Sequence, residues 1–137
     1  MFGTVFVLAQ HLARRTDEVM EPTGVTTKQW LLLAILAKKF PGQAPTLSEA
    51  ASCYGSSRQN VKQLARQLEA RGFLRLVSDP TDRRVLRLEL TDQVSELDRP
   101  EETRRQLGLL EELFACFSNE EIHSLQELLT RWCAAIS

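Results

Sequence analysis

The spacing of apolar positions changes along the chain, and each change marks an element. From Phe2 to about Val19, the residues Val5, Leu8, Ala9, Leu12 and Val19 fall on one helical stripe. Phe2, Phe6 and Val7 widen that stripe beyond one packing face, as an ordinary core with a frayed end or a partner subunit would require. Pro22 and Gly24 break the helix. A second helix, capped by Thr26 or Thr27, runs through Gln29–Leu36 to about Lys39. It is apolar on most faces, so it is central, with Trp30 as a core or interface anchor. Pro41, Gly42 and Pro45 form a turn. A short helix follows to about Tyr54, capped by Thr46 or Ser48, with Glu49 at capping-box spacing from Thr46.

Gly55 supplies a turn, and Ser56 or Ser57 caps the most strongly periodic segment, about Arg58 to Ala70. There Val61, Leu64, Ala65 and Leu68 face inward. Arg58, Lys62 and Arg66 stack outward beside Gln59 and Gln63. Arg71-Gly72 ends that helix. Residues 73–77 and 85–90 then read as strands around a polar turn at 78–82, with Leu86, Leu88 and Leu90 on one face. From Thr91 or Asp92 the pattern is helical again, through Val94 and Leu97, and Pro100 imposes a bend or a restart near Asp98. Leu107, Leu110, Leu113, Phe114 and Phe117 carry the next stripe. Ser118 caps the last helix with Glu121 completing the box, and its stripe is Ile122, Leu125, Leu128, Leu129, Trp132 and Ile136.

A short helix, a turn, a periodic basic helix and a hairpin in that order are the sequence form of a winged helix-turn-helix, mostly α with a small β-wing. The 137 residues suit one domain, 1–137. Residues 27–91 form its winged, DNA-binding part, and residues 1–20 and 92–137 its helical dimerisation part. The first and last helices carry more apolar surface than so small a domain covers, and an intersubunit helical bundle accommodates it. Its contacts are expected from Phe2, Val5 and Phe6, from Leu113 and Phe117, and from Leu125, Leu128, Leu129, Trp132 and Ile136.

The net charge of -1 says nothing about a polyanion, but its distribution does. Residues 1–45 carry five basic and three acidic side chains, a net of +2. Residues 46–91 carry eight and five, a net of +3, and residues 92–137 four and ten, a net of -6. A basic middle with an acidic tail holds a polyanion at one end and repels it at the other. No acid occurs between Glu49 and Glu69. Arginine and glutamine also have the donor geometry that matches guanine and adenine edges in the major groove. The Arg83-Arg84 pair near the hairpin tip suits an adjacent minor groove.

Cys53, Cys116 and Cys133 are sparse and far apart, so they suggest neither a disulfide scaffold nor a metal cluster; buried small side chains in a reduced compartment are expected. No metal and no cofactor is called for. No apolar run reaches membrane length, and the N-terminal residues place apolar before basic, the reverse of a secretory signal, so the cytoplasm is expected. Enzymatic chemistry finds no support: His11 and His123 are the only histidines, and no phosphate loop or serine elbow occurs. The competing class is a winged-helix dimer serving as a protein-interaction module without DNA specificity. Such a module has no reason to keep acids off both the outer helix face and the hairpin tip. A single-strand binder would need stacking aromatics on the basic face, and none is there.

The chain resembles the MarR family of bacterial transcriptional regulators over nearly its whole length. Three segments carry the resemblance: Thr27-Lys28-Gln29-Trp30, the run from Ser57 through Phe73, and Asp82-Arg83-Arg84 followed by Leu90-Thr91. It implies a homodimer on a pseudo-palindromic double-stranded DNA operator, with interlocked first and last helices. It implies a layout of two helices, a small first strand around residues 43–45, two helices, a two-stranded wing and two helices. Ser57, Arg58, Gln59 and Asn60, with Lys62, Gln63 and Arg66, would then lie in the major groove. Arg84 would enter the minor groove, Arg83 would face phosphate, and Asp82 would support the wing. The resemblance also implies a small, often aromatic effector. His11, Trp30, Leu33, Phe40, Tyr54 and Leu107 are candidate walls of its pocket, each equally accounted for by plain packing. The chain departs from the family pattern at Val94, where glycine is frequent, at Ser56, and at Pro100, which interrupts a helix that is otherwise long.

Overall fold

The computed structural model describes residues 1–137 as six α-helices and one hairpin. Helix α1 spans Phe2–Met20, and a single 3-10 turn over Glu21–Thr23 leads to α2, Thr27–Lys39. Helices α3 (Leu47–Tyr54) and α4 (Arg58–Ala70) follow. Strands β1 (Leu74–Ser78) and β2 (Leu86–Leu90) pair antiparallel, with Leu76 opposite Leu88. A 3-10 stretch over Asp92–Asp98 connects the hairpin to α5 (Pro100–Phe114), and α6 (Asn119–Ile136) ends the chain.

The helix starts are set by side chains that accept from first-turn amides. Thr26, Thr46, Ser57 and Ser118 each accept from the amide three residues on. The boxes at Thr26 and Ser118 are complete, since Gln29 and Glu121 return to the cap backbone. At Thr46 only half a box forms, because Glu49 accepts from the threonine hydroxyl and not from its amide. Gly55 has φ 77° between α3 and α4, and Gly72 has φ 83° after α4, both in the left-handed region that favours glycine.

The core occupies the middle of the chain. Its buried cluster runs from Met20 to Leu97, and beyond those limits only Leu109 is buried. Leu32, Leu33 and Leu36 of α2 meet Ala50 and Ala51 of α3, Val61, Leu64, Ala65 and Leu68 of α4, and Leu74 and Leu88 of the hairpin. Buried Gln29 is satisfied: it accepts from Thr26 N and donates to Gln67 Oε1 at 3.0 Å, which ties α2 to α4. Helix α6 buries no residue at all.

Three expectations change, and of the bend or restart expected at Pro100 the restart is found. The small first strand reduces to one bridge, Thr46 to Arg87, with Leu88 N donating to Pro45 O. Pro45 has no amide to give a ladder, and the Pro41-Gly42 turn leaves no room for a longer strand. The hairpin strands end one residue later at 78 and begin one later, at 74 and 86. Pro100 does not bend a helix; it is the first residue of α5, where its missing N–H costs nothing. The three cysteines are exposed, not buried: Cys53 lies on the outer side of α3, and Cys116 and Cys133 lie in the α5–α6 region, which has only Leu109 in its interior.

Leu68, fully buried where α4 meets α2 and the hairpin, is a direct test of this packing. Leu68→Ala is expected to destabilise the protein by about 2–5 kcal/mol in urea denaturation, whereas exposed Gln63→Ala stays within about 0.5 kcal/mol.

Candidate nucleic-acid interface

Helix α4 presents its polar face because its apolar face is consumed by the core. Val61, Leu64, Ala65 and Leu68 are buried, while Arg58, Gln59, Gln63 and Arg66 are exposed and Lys62 is half-buried. Ser57 starts the helix, accepting from Asn60 N at 3.1 Å. The Asn60 side-chain amide donates to Ser56 Oγ at 2.8 Å, which leaves its second N–H and its carbonyl oxygen for outside partners. The start of α4 is therefore pinned by both serines, through Asn60 of its first turn.

The eight cations of residues 46–91 divide into two groups. Four are engaged by the protein itself. Arg71 donates to Gly24 O and to Thr23 O and lies over the Phe73 ring, locking the end of α4 to the α1–α2 connection. Arg75 pairs with Glu89 across the hairpin at 2.8 Å, Arg87 pairs with Asp79 at 2.5 Å, and Arg84 pairs with Asp82. The other four, Arg58, Lys62, Arg66 and Arg83, donate to nothing in the protein and form no ion pair. Three lie on the outer face of α4 and one at the wing tip.

The tip is built around two aspartates. Asp79 Oδ2 accepts from Thr81 Oγ1 at 2.5 Å, Thr81 N and Asp82 N, and Asp79 Oδ1 accepts from Arg87 Nε. Those bonds, from Thr81 and Arg87 foremost, hold its carboxyl far below the usual carboxylate range. Asp82 accepts from Arg84 Nε and Nη2 and from Arg84 N, which also lowers its carboxyl. The Arg84 side chain is nonetheless 92% exposed, so it is held outward and remains presented to solvent. Sequence reasoning read Asp79 only as a turn residue and Arg87 only as a strand residue. Their pairing depends on the strand register, which a single sequence does not display.

The residues assigned to an effector pocket do not form one visible group. Leu33 is in the core, Trp30, Phe40 and Tyr54 pack against it, and His11 and Leu107 are exposed on α1 and α5. The Tyr54 hydroxyl donates to Lys28 O at 3.2 Å, and burial pushes its pKa up. Two described surface hollows lie elsewhere, one at Gly72–Gln93 beside the hairpin and one along α6 from His123 to Ala134. No cluster of side chains able to hold a metal occurs.

A short helix, a glycine turn, a second helix with a buried and a cationic face, and a hairpin with a basic tip define a winged helix-turn-helix. The MarR family model matches residues 23–85, the span from the α1–α2 connection to the wing tip. Two curated relatives agree. The transcriptional repressor MprA of Escherichia coli is 35% identical over 117 residues, covering 85% of this chain and 65% of that one. The transcriptional activatory protein BadR of Rhodopseudomonas palustris is 29% identical over 84 residues, covering 61% and 48%. The chain thus spans between about half and two thirds of their lengths. Among solved structures, a mutant MarR of E. coli complexed with operator DNA shares the fold at TM-score 0.80, with 18% identity and coverage of 93% and 89%. The sequence likeness to the MarR family is thus centred on the winged helix-turn-helix, from the α1–α2 connection to the wing tip.

The two aspartates give the wing a defined pH window. Each folded pKa lies below its unfolded value, so the stability it contributes is present above that value and lost as pH falls through the folded one. The amide resonances of Thr81 and Arg84 are therefore expected to hold their positions from pH 7 down to about 4.5, and to shift only in stronger acid. Collapse of their dispersion near pH 6 would contradict this.

Proposed function

We propose that this protein is a sequence-specific, double-stranded-DNA-binding transcriptional regulator, acting as a homodimeric repressor that occludes its operator. The observation that carries the proposal is the division of the cations. Arg71, Arg75 and Arg87, which point elsewhere, have internal partners; Arg58, Lys62 and Arg66 of the α4 outer face and Arg83 of the wing tip have none, and Arg84 at the tip is held by Asp82 yet presented to solvent. A solvated surface has no reason to sort its charges this way. Phosphate contacts would supply most of the affinity and make it salt-dependent. Arg58, Gln59, Gln63 and Arg66 would read base edges, and Arg84 with Arg83 would reach the neighbouring minor groove.

The exposed area supports a dimer. The chain exposes 9866 Å² for 15.6 kDa, where a compact monomer of that mass exposes roughly 7,200 Å². The excess of about 2,600 Å² per chain is of the size that obligate homodimers bury. It is apolar at the ends of the chain: Phe2 and Phe6 on α1, and Leu128, Leu129, Trp132 and Ile136 on α6 are all exposed. A two-fold pairing of these helices covers them and sets two α4 helices a fixed distance apart, as a palindromic site requires. A small aromatic effector entering beside Trp30, Phe40 and Tyr54, which are only partly buried against the core, would alter that distance. The relatives named above come from bacteria, and we place this protein in a bacterial cytoplasm.

Selection of duplex DNA from a random pool, at two salt concentrations, tests the reading. An inverted repeat with half-sites about one helical turn apart is expected; absence of any duplex binding would return the interaction-module alternative. On the selected site, Arg58→Ala is expected to cost about 1–3 kcal/mol and to relax sequence preference. Equal losses on random DNA would remove its base-reading role. Trp132→Glu is expected to give a monomer in light scattering and to lose operator binding; a dimer of unchanged mass would place the interface elsewhere.

A further inference from the structure

Asp79 is the one charged residue that the fold buries, at 7% exposure. Its carboxylate joins two structures. One oxygen gathers the tip, accepting from the Thr81 hydroxyl and the Thr81 and Asp82 amides. The other accepts from Arg87 Nε, and Arg87 Nη1 donates onward to Ala44 O at 2.8 Å. Beside that contact run the Thr46–Arg87 bridge and the Leu88 N to Pro45 O bond, immediately before α3. The tip is thus fastened through one ion pair to the segment that begins the helix-turn-helix.

This arrangement is expensive for what stability alone needs. Five residue pairs already hold the two strands, and Asp79 N donates to Val85 O at 2.8 Å to close the tip. A buried ion pair loses hydration that well-packed apolar side chains would not, so it is weak evidence for stability and better evidence for fixed geometry. The geometry it fixes is specific. Asp79 holds the Asp82 amide; the Asp82 carboxylate holds the Arg84 guanidinium and amide; Arg84 projects into solvent.

We propose that Asp79, together with Arg87, is a positioning residue that aims the wing-tip arginine and locks the wing to the helix-turn-helix, so that minor-groove and major-groove contacts keep one spacing. The inference rests on the DNA-binding reading above. Asp79 itself touches no DNA; it acts through Asp82 and Arg84. Asparagine at 79 keeps the volume, but its NH2 must face either Arg87 or the Thr81 and Asp82 amides, so one side of the clamp opens. Arg84 without its clamp is still charged, yet it must be ordered on binding.

The test is a double-mutant cycle of Asp79→Asn and Arg84→Ala on the selected operator. Each single change is expected to weaken binding about tenfold, and the pair also about tenfold, because both remove the same contact. Full additivity, about a hundredfold for the pair, would overturn the inference, as would unchanged binding by Asp79→Asn. Asp79→Asn with Arg58→Ala is expected to be additive, since α4 reads its groove independently; this combination would be sub-additive if Asp79→Asn merely loosened the whole domain. Amide exchange on the free protein gives a second reading that needs no DNA. Protection at Thr81 and Asp82 is expected to fall in Asp79→Asn while protection in α4 stays, and unchanged tip protection would overturn the clamp. A wild-type protein that binds no duplex would instead refute the functional reading itself.

Discussion

The structure depends on the requirement that α4 bury one face completely. Val61, Ala65 and Leu68 are fully enclosed and Leu64 nearly so, and α2, α3 and β1 all pack on this helix. Because the inner face is gripped from three directions, the rotation of α4 about its own axis is set by the core. The direction of Arg58, Lys62 and Arg66 is then a by-product of hydrophobic packing, and no polar contact is needed to aim them. The Gln29–Gln67 bond and the serine cap confirm the same rotation from the polar side. A recognition surface built this way is rigid before it meets DNA, which spares the cost of ordering it on binding.

The apolar residues divide between two tasks. Those from Met20 to Leu97 close on themselves, and their polar partners are satisfied: no buried side-chain nitrogen or oxygen lacks a hydrogen bond. Those of α1 before Met20, and those of α5 and α6, stay open, with Leu109 the single buried exception. Few polar contacts replace what is missing. Arg15 reaches Glu112 across α1 and α5 at 2.5 Å, but both are exposed, and such pairs contribute little. The middle has a core of its own; the ends carry apolar stripes that nothing else in the chain covers.

Most of the fold was legible because helices announce themselves locally. The four-residue spacing of Arg58, Lys62 and Arg66 against Val61, Leu64 and Leu68 gave α4 and its orientation together, and Ser118 with Glu121 gave the start of α6. What was not legible depended on distant partners. Asp79 and Arg87 are eight residues apart, and only the register that sets Val77 opposite Arg87 lets their side chains meet. Leu109 lies outside the stripe read for α5, since that stripe was chosen for continuity of apolar residues and the buried one is fixed by contact with α1. The cysteines were misjudged for a similar reason: the usual burial of cysteine is a statistical habit, and it has no force on the outer side of α3, where Cys53 lies, or on the end helices that enclose little. The candidate interface was more legible than the rest of the site, since an absence of acids along one helix face is visible without any tertiary knowledge.

The two regions meet at the C-terminal end of α4. Arg71 donates to Gly24 and Thr23, which follow α1, while the Arg71 carbonyl accepts from Gln93 Nε2 and the Gly72 carbonyl from Thr91 Oγ1, which precede α5. Both ends of the chain are therefore tied to the same two residues. Thr27 adds a further link, its amide donating to Asp17 Oδ1 and its hydroxyl to Ala13 O on α1. Because α5 starts afresh at Pro100, no continuous helix runs from the wing into it, and the connector from Asp92 to Asp98 is held at Leu97 by burial. Movement of the end helices relative to the core must consequently pass through the Arg71–Gly72 corner or break it. That corner is also where α4 hands over to β1, so the same displacement would tilt the recognition helix and the wing together. A small set of contacts, the Arg71 guanidinium on two carbonyls and the Arg71 and Gly72 carbonyls under Gln93 and Thr91, thus joins both ends of the chain to the end of α4.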